Sequence, residues 1–525
     1  MSDLDKRQSS ANAVKTVGVM IAATVLSKLL GMLRGVLLAS HYGLSMEANA
    51  FSAASRIPLS FFDLLFSAAI LGCFIPVYNG FIGNNKTGGE EEADTFALTF
   101  LNVILVLTGF LAIVGVVFAK PIISLIAPGL NKETAKLAAS LLRIMFPMVM
   151  FTGAAYTLVG LMQSKNKFIL PALISSISNF GVIVYFVFVD NSLGDKSIYG
   201  LAVAYVVSWI LQFVTLAVPL AKTGFKYKPY IDFKNKGLIK AIKMCGPIMV
   251  GSWLTPIGVM AGTFFATYVN VDGAVTVFDY ANNAYVIIIG TLTYSICNFV
   301  FPKLSRLSSD EDSAAFAETV RVGLTSTLFI VAPFMAAVMI LTGEGIAVLY
   351  MRNEFTPEAA RLTAGTLKSI AIAMPAFSLV EILSRVFYSK KLTFYPMIAA
   401  VTGIVVNILS AKILVGYDVL GVGSVGYANA LGQIAMATVL VISVFGKIKK
   451  VFSKELILNV VKIIICALIS FVGMNLVRSL TGNDPYSSTM IKNILVCVIV
   501  FAVGAAVYLI MAKILRVSVA GKNNK

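Results

Sequence analysis

The sequence predicts an all-α integral membrane protein of about 14 transmembrane helices, with two six-helix lobes related by a parallel repeat and two extra helices at the C-terminal end. Three observations predict it. Hydrophobic residues make up 58% of the 525 residues and charged ones 13%, about half the charge of an ordinary soluble domain. Apolar stretches of the roughly 20 residues needed to span a bilayer fill most of the chain. The chain also resembles itself at a shift of about 225 residues.

The first span lies near 14–42, behind a polar tail from Met1 to Ala13. No small-residue cleavage site follows its apolar core, so it reads as retained rather than as a signal peptide. The second (48–81), fourth (134–162) and tenth (357–388) spans are long and must tilt, kink or project. Pro58, Pro147 and Pro375 lie inside them and each breaks local backbone hydrogen bonding, which is tolerated beside a cavity. The remaining spans fall near 94–118, 168–189, 197–220, 239–269, 275–301, 316–342, 393–415, 421–445, 455–478 and 489–513. Asn179 and Asn407 are lone polar residues in the fifth and eleventh, explained by helix-to-helix hydrogen bonds.

Loop charge sets the expected orientation. With the N-terminus inside, the inner loops collect Lys165, Lys167, a cluster from Lys222 to Lys243, Lys303, Arg306, Lys390, Lys391, Lys447, Lys449, Lys450 and Lys454, and the tail adds Lys513, Arg516, Lys522 and Lys525. The outer loops hold only Lys120, Lys132, Lys196, Arg352 and Arg478. Both termini are therefore expected in the cytoplasm. One inner loop runs against the pattern, with Glu90, Glu91 and Glu92 beside Lys86, but acids weigh little in the rule.

The same bias accounts for the net charge of +17, so nucleic acid is not an expected partner. Cys73, Cys245, Cys297, Cys466 and Cys497 are scattered without metal-ligand spacing, and His41 is the only histidine, so neither a metal site nor a disulfide framework is read. There is no Walker-type phosphate loop, and no polar stretch is long enough for a nucleotide-binding domain. No enzymatic constellation is present. Energy must come from an ion gradient, the membrane potential or the substrate gradient, and no cofactor is expected.

The repeat is read from particular residues. Ser164-Lys165 recurs as Ser389-Lys390, and Pro171 as Pro396. Glu133, Ala135, Lys136, Leu137 and Arg143 recur as Glu358, Ala360, Arg361, Leu362 and Lys368, and Pro76 as Pro302. Six spans per half leave both halves in one orientation, so the repeat is parallel and the substrate path is expected between the lobes.

Six basic residues lie within the spans: Lys28, Arg34, Arg56, Arg143, Lys368 and Arg385. Only three acids, Asp63, Asp279 and Glu381, sit at similar depth. A cation at a helix centre costs at least roughly 2.5–3.5 kcal/mol, so the excess points to an anionic substrate. Lys28 and Arg34 flank Gly31 and differ in height by about 9 Å, which suits a phosphate-bearing head group held at two depths. The alternative is that Lys28 snorkels and Arg34 pairs with an acid. Arg56 and Asp63, seven apart, share a helix face; substrate binding and a structural ion pair are both open for them. Arg143 and Lys368 read as near the outer water interface rather than as two arms around a cavity. Glu381 and Arg385 have i,i+4 spacing and read as a structural or gating pair.

The first two spans resemble a known family. Ser27-Lys28-Leu29-Leu30-Gly31-Met32-Leu33-Arg34, then His41-Tyr42-Gly43, Ala50-Phe51, Arg56-Ile57-Pro58 and Phe74-Ile75-Pro76 resemble the opening of the MurJ lipid II flippases of the MOP exporter superfamily, which have a MATE-like fold. Phe168 to Asn179, Tyr280-Ala281 to Pro302, and Phe387-Tyr388-Ser389 are also similar. The resemblance implies alternating access of two lobes around a cationic cavity, with lipid-linked peptidoglycan precursor carried from the inner to the outer leaflet. It also implies that Lys28 and Arg34 stand where the family has essential arginines, that Arg56 takes the place of a family cation, and that the last two spans form a groove for the lipid tail. The chain departs from the pattern at Phe62, where the family has a cation, at Asn282 and Asn283, where it has aspartate and arginine, and at Gly35, often an acid. The seventh-span acid of the sodium site in some relatives is missing between Pro247 and Val269, which speaks against a sodium site here.

The expected protein is therefore a lipid II flippase of peptidoglycan, cell-wall and cell-shape biology in the bacterial cytoplasmic membrane. Its substrate-binding residues are Lys28, Arg34, Arg56 and Asp63, and Glu381 and Arg385 form a gating or ion pair. Its partners are the undecaprenyl-pyrophosphate-linked glycan, the bilayer and cell-wall synthesis proteins. The expected domains are an N-lobe (1–221), a cytoplasmic amphipathic linker (222–238), a C-lobe (239–446) and the last two spans with the tail (447–525). The alternatives are an exporter of another undecaprenyl-linked polysaccharide and a multidrug antiporter of the same fold, whose cationic cargo fits the basic excess poorly.

Overall fold

The computed structural model describes residues 3–67, 70–82, 89–222, 225–252, 254–307, 313–417, 420–448 and 451–518. Of the loop and tail cations counted above, Lys86, Lys449, Lys450, Lys522 and Lys525 lie outside these residues. Every regular element among the described residues is helical. In order they are α1 (Asp3–Tyr42), α2 (Met46–Phe62), α3 (Ile75–Ile82), α4 (Gly89–Val117), α5 (Ala119–Ile126), α6 (Lys132–Met145), α7 (Met148–Ser164), α8 (Ile169–Phe188), α9 (Ser197–Ala221), α10 (Lys236–Ser252) and α11 (Leu254–Ala266). Then come α12 (Ala274–Leu307), α13 (Ser313–Tyr350), α14 (Pro357–Ala371), α15 (Met374–Ser389), α16 (Phe394–Gly416), α17 (Gly423–Lys447), α18 (Lys454–Leu480) and α19 (Met490–Ile514).

Nine of these segments are long and apolar enough to cross a membrane, or 11 when each of two bent pairs counts as one span, among the described residues. Both bent pairs have the expected prolines at the break. Pro147 caps α7, which turns 41° from α6, and Pro375 sits in the first turn of α15, which turns 46° from α14. Pro58 behaves differently. It lies inside α2, and the helix gives way five residues later to π-helical turns at Asp63–Ser67 and Ile70–Phe74. A π-turn adds a residue to the turn and resets which side chains share a face, so the register that runs from Arg56 to Asp63 is not carried beyond Asp63. The acidic triplet also finds its place: Glu90, Glu91 and Glu92 form the first turn of α4, where negative charge is favoured by the helix dipole.

The repeat is visible in local geometry at the same shift of about 225 residues. Asn131 caps α6 by accepting from the Thr134 amide, and Thr356 caps α14 by accepting from the Ala359 amide. After α7, Asn166 turns left-handed (φ 59°) and the Lys167 amide donates to the Met162 carbonyl at 2.8 Å. After α15, Lys391 does the same (φ 58°) and the Leu392 amide donates to the Phe387 carbonyl at 2.9 Å. A lysine pays about 1–2 kcal/mol for that backbone, so the turn is imposed by the architecture rather than by the residue.

By internal packing the chain forms two units, one of residues up to Leu38 with Met46–Met260, the other of Ala39–Ser45 with Ala261 onward. In the first unit Phe74, Tyr78, Phe96 and Phe100 stack where the second π-turn and α3 meet α4. The polar segment before α10 is extended rather than helical and is clamped to α4. The buried Asn102 donates to the carbonyls of Lys228 (2.8 Å) and Tyr230 (3.1 Å) and accepts from the Tyr227 hydroxyl (2.8 Å). In the second unit α13 packs on both α18 and α19, through Ala337 and Leu341 against Met474, Val496 and Val500.

Candidate functional site

In the first unit α1 is fixed laterally by α8. The Ser27 and Ser176 hydroxyls lie 2.6 Å apart, and the Asn179 amide donates to the Ser27 carbonyl at 3.2 Å. A Cβ on Gly31 would sit 3.3 Å from Asn179 Nδ2, so Ser27 and Gly31 form a small-residue face that lets α8 approach. Asn179 thus makes the expected interhelical hydrogen bond. Asn407 does not: among the described residues no hydrogen bond forms there, and it packs instead against Gly432 of α17.

The stretch of α1 anchored in this way carries Lys28 and Arg34, both half-buried. Arg34 lies over the Tyr205 ring at 5.4 Å, and Tyr205 in turn meets Phe51 edge-on at 5.0 Å. Tyr205 is 8% exposed, so the aromatic platform is rigid. Among the described residues Arg34 has no hydrogen bond and no carboxylate partner. The expected alternative, an acid paired with Arg34, is therefore not made, and Asp63 does not neutralise it. Arg56 is half-buried on α2, while Asp63 is exposed at the start of the π-turn.

The departures from the family pattern have local causes. Phe62 is 1% exposed and packs on Tyr156, with ring centroids 5.2 Å apart; a cation there would be desolvated against aromatic rings. Asn283 donates from Nδ2 to Asp279 Oδ2 at 3.3 Å, a neutral partner standing where an arginine would give an ion pair.

In the second unit Glu381 and Arg385 do pair. Arg385 Nη1 donates to Glu381 Oε2 at 2.9 Å and to the Glu381 carbonyl at 3.2 Å. The guanidinium also lies over Tyr294 at 5.7 Å, which ties α15 to α12. Arg143 and Lys368 are both exposed, each in the last turn before the proline bend.

Sequence reasoning missed Tyr205 and Tyr294, since an aromatic residue in a span has many duties and only proximity to a cation marks this one. It also missed an ion pair in the second unit. Glu344 of α13, fully buried, accepts from Arg478 Nε of α18 at 3.0 Å. By loop charge alone Arg478 reads only as an outer-loop cation.

The chain matches the family model described as lipid II flippase MurJ over residues 38–510. It is 28% identical over 404 residues to a probable lipid II flippase MurJ of Buchnera aphidicola subsp. Schizaphis graminum, covering 77% of each chain. It is 27% identical over 467 residues to that of Aquifex aeolicus, covering 87% of this chain and 88% of the other. Among solved structures it is similar to a lipid II flippase MurJ in an inward closed conformation, with a TM-score of 0.77 and 26% identity over 94% of this chain and 98% of that one. An inward-facing multidrug resistance MATE family transporter of the MOP superfamily shares the fold, with a TM-score of 0.67 at 16% identity, over 82% of this chain and 98% of that one. With nearly its whole length matched and its fold the same, the chain belongs to the MurJ lipid II flippase family.

Proposed function

We infer that this chain moves lipid II, an undecaprenyl-pyrophosphate-linked disaccharide pentapeptide, from the inner to the outer leaflet of the bacterial cytoplasmic membrane. The observation that carries the reading to particular residues is Arg34, a half-buried guanidinium on a membrane helix with an aromatic ring but no carboxylate against it. A cation at that depth is expensive, and one left without an acid is suited to a visiting anion. In this reading Lys28, Arg34 and Arg56 hold the pyrophosphate, and Asp63 moderates the charge of Lys28 and Arg56. The Glu381–Arg385 pair acts as a gate in the second unit, and the two units alternate access. Transport draws on the membrane potential or an ion gradient, with no cofactor and no sodium site. Family membership supports lipid II over another undecaprenyl-linked glycan, and the cation excess supports an anionic cargo over a cationic drug. Loop charge supports cytoplasmic termini, and cell-wall synthesis proteins are the partners that would supply and consume the substrate.

The test is leaflet translocation of lipid II by the purified protein in liposomes, with Arg34→Ala as the comparison. Transport that is lost in the variant supports both the activity and the site. Transport equally fast in the variant removes Arg34 from the site. Movement of another undecaprenyl-linked glycan but not of lipid II transfers the chain to a different cargo.

A further inference from the structure

A second cationic site lies wholly within the second unit. Helix α13, helix α14 and the loop joining α18 to α19 line an open cavity of about 530 Å³. It lies at the end of the α18–α19 hairpin opposite the chain's C-terminus. Its wall carries Arg361 and Lys368 from α14 and Arg478 from the last turn of α18. Arg361 and Lys368 are seven residues apart, so they share a face of α14 about 10 Å apart along the axis.

We propose that this cavity binds the phosphate of a lipid head group. Each cation is held or left available in a way that suits an anion. The Arg361 guanidinium is stacked over the Tyr486 ring at 5.0 Å, which fixes its plane without using its N–H donors. Arg478 spends Nε on Glu344, and its two terminal nitrogens make no hydrogen bond among the described residues. Lys368 has no ion-pair partner among them. A planar guanidinium with free paired donors and a nearby ammonium is a suitable set for a phosphate.

One acid, Asp484, also lines the cavity. The Ser487 hydroxyl and the Tyr486 amide donate to it and hold its carboxyl below the usual range, and the charges of Arg361 and Arg478 lower it further, so it offsets part of their charge. Three cations therefore face one lining acid, with Glu344 neutralising Arg478 from behind. The loop is preformed. Asn483 donates to Asn493 Oδ1 at 2.8 Å, and Asn493, fully buried, donates to the Pro485 carbonyl at 2.8 Å. A site already rigid does not lose affinity to ordering. The lipid source is favoured over a soluble one by what borders the loop. Leu480 and Ile491 at the two ends of the hairpin turn are 78% and 71% exposed, apolar surface suited to acyl chains beneath a head group.

The experiment uses the full-length protein in phosphatidylcholine nanodiscs carrying a small fraction of photoactivatable phosphatidylglycerol. Label is expected on the segment from Arg478 to Tyr486. Lys368→Gln and Arg361→Gln should each lower it about tenfold, the loss of one charge-assisted hydrogen bond. Lys368→Arg should retain it, and Arg143→Gln, the counterpart of Lys368 in the other half, should leave it unchanged. Both substituted side chains are exposed, and melting midpoints equal to the parent verify folding. Displacement of the label by millimolar inorganic phosphate would make this a free-anion site and overturn the lipid assignment. Label elsewhere, or undiminished in both glutamine variants, would overturn the site itself.

Discussion

Replacing Gly432 by alanine sets two known effects against each other. Helices α16 and α17 pack along their length, and at their closest approach an added Cβ on Gly432 would lie 2.7 Å from the Gly403 carbonyl oxygen and 2.9 Å from Asn407 Cβ. Ordinary contacts are about 3.3 Å for carbon to carbonyl oxygen and about 3.5 Å for carbon to carbon. The helices must therefore part by about 0.6 Å, and a gap of that size forfeits a quarter to a half of each contact along the seam. Overpacking of this kind costs about 1–3 kcal/mol. Because the obstacles are a backbone oxygen and a first side-chain carbon, which cannot swing away, the upper half of that range applies. Against it stands the helix propensity of alanine, about 1 kcal/mol over glycine. The clash wins by about 1–2 kcal/mol. Gly365→Ala isolates the opposing effect, since nothing lies within 4 Å of its added Cβ, and it should gain up to about 1 kcal/mol. The readout is the monodisperse fraction of detergent-purified protein after graded heating. At roughly 2 °C per kcal/mol for a large domain, the two midpoints should stand about 2–6 °C apart. A Gly432→Ala midpoint at or above the parent would refute the claim that backbone contact at this glycine holds the pair together.

Four further outcomes follow from the geometry. Arg478→Met strands the Glu344 carboxylate and should cost about 3 kcal/mol, the low end for a buried pair because Arg478 is 34% exposed; adding Glu344→Gln should restore most of it, and a double variant no better than the single would show that packing, not charge, was lost. Asn179→Ala removes one interhelical hydrogen bond and should cost about 0.6 kcal/mol, read as a small midpoint shift that Ser27→Ala does not add to in full. Asn102→Ala releases three hydrogen bonds to the segment before α10, so protease cleavage between Tyr227 and Lys234 should quicken severalfold at unchanged expression. Glu381→Gln should slow or abolish lipid II transport while leaving binding intact if the pair gates; equal loss of both would make it a binding group instead.

Much of the fold was legible because a bilayer leaves so few options. Long apolar runs must be helices, and two of the three long spans broke where proline removes a donor. The second span kept its helix past Pro58 and changed to π-turns at Asp63, a shift that depends on how the first unit packs and leaves no mark in composition. The repeat was legible too, because Ser164-Lys165 and Ser389-Lys390 are tied to the same left-handed turn. Ion pairing was legible only at short range. Glu381 and Arg385 sit one helical turn apart and met as spacing predicts. Glu344 and Arg478 are joined only by folding, and Arg34 found Tyr205 rather than Asp63 because neighbours across helices are set by tertiary packing.

The distance along the chain between Glu344 and Arg478 also has a meaning in time. They are separated by 134 residues, and synthesis at about 5–20 residues per second puts roughly 7–27 s between them. Through that interval α13 is made and Glu344 lacks the Arg478 guanidinium that it holds in the finished fold. The terminal hairpin then arrives with that guanidinium, so this contact of the second unit closes only when the chain is nearly finished.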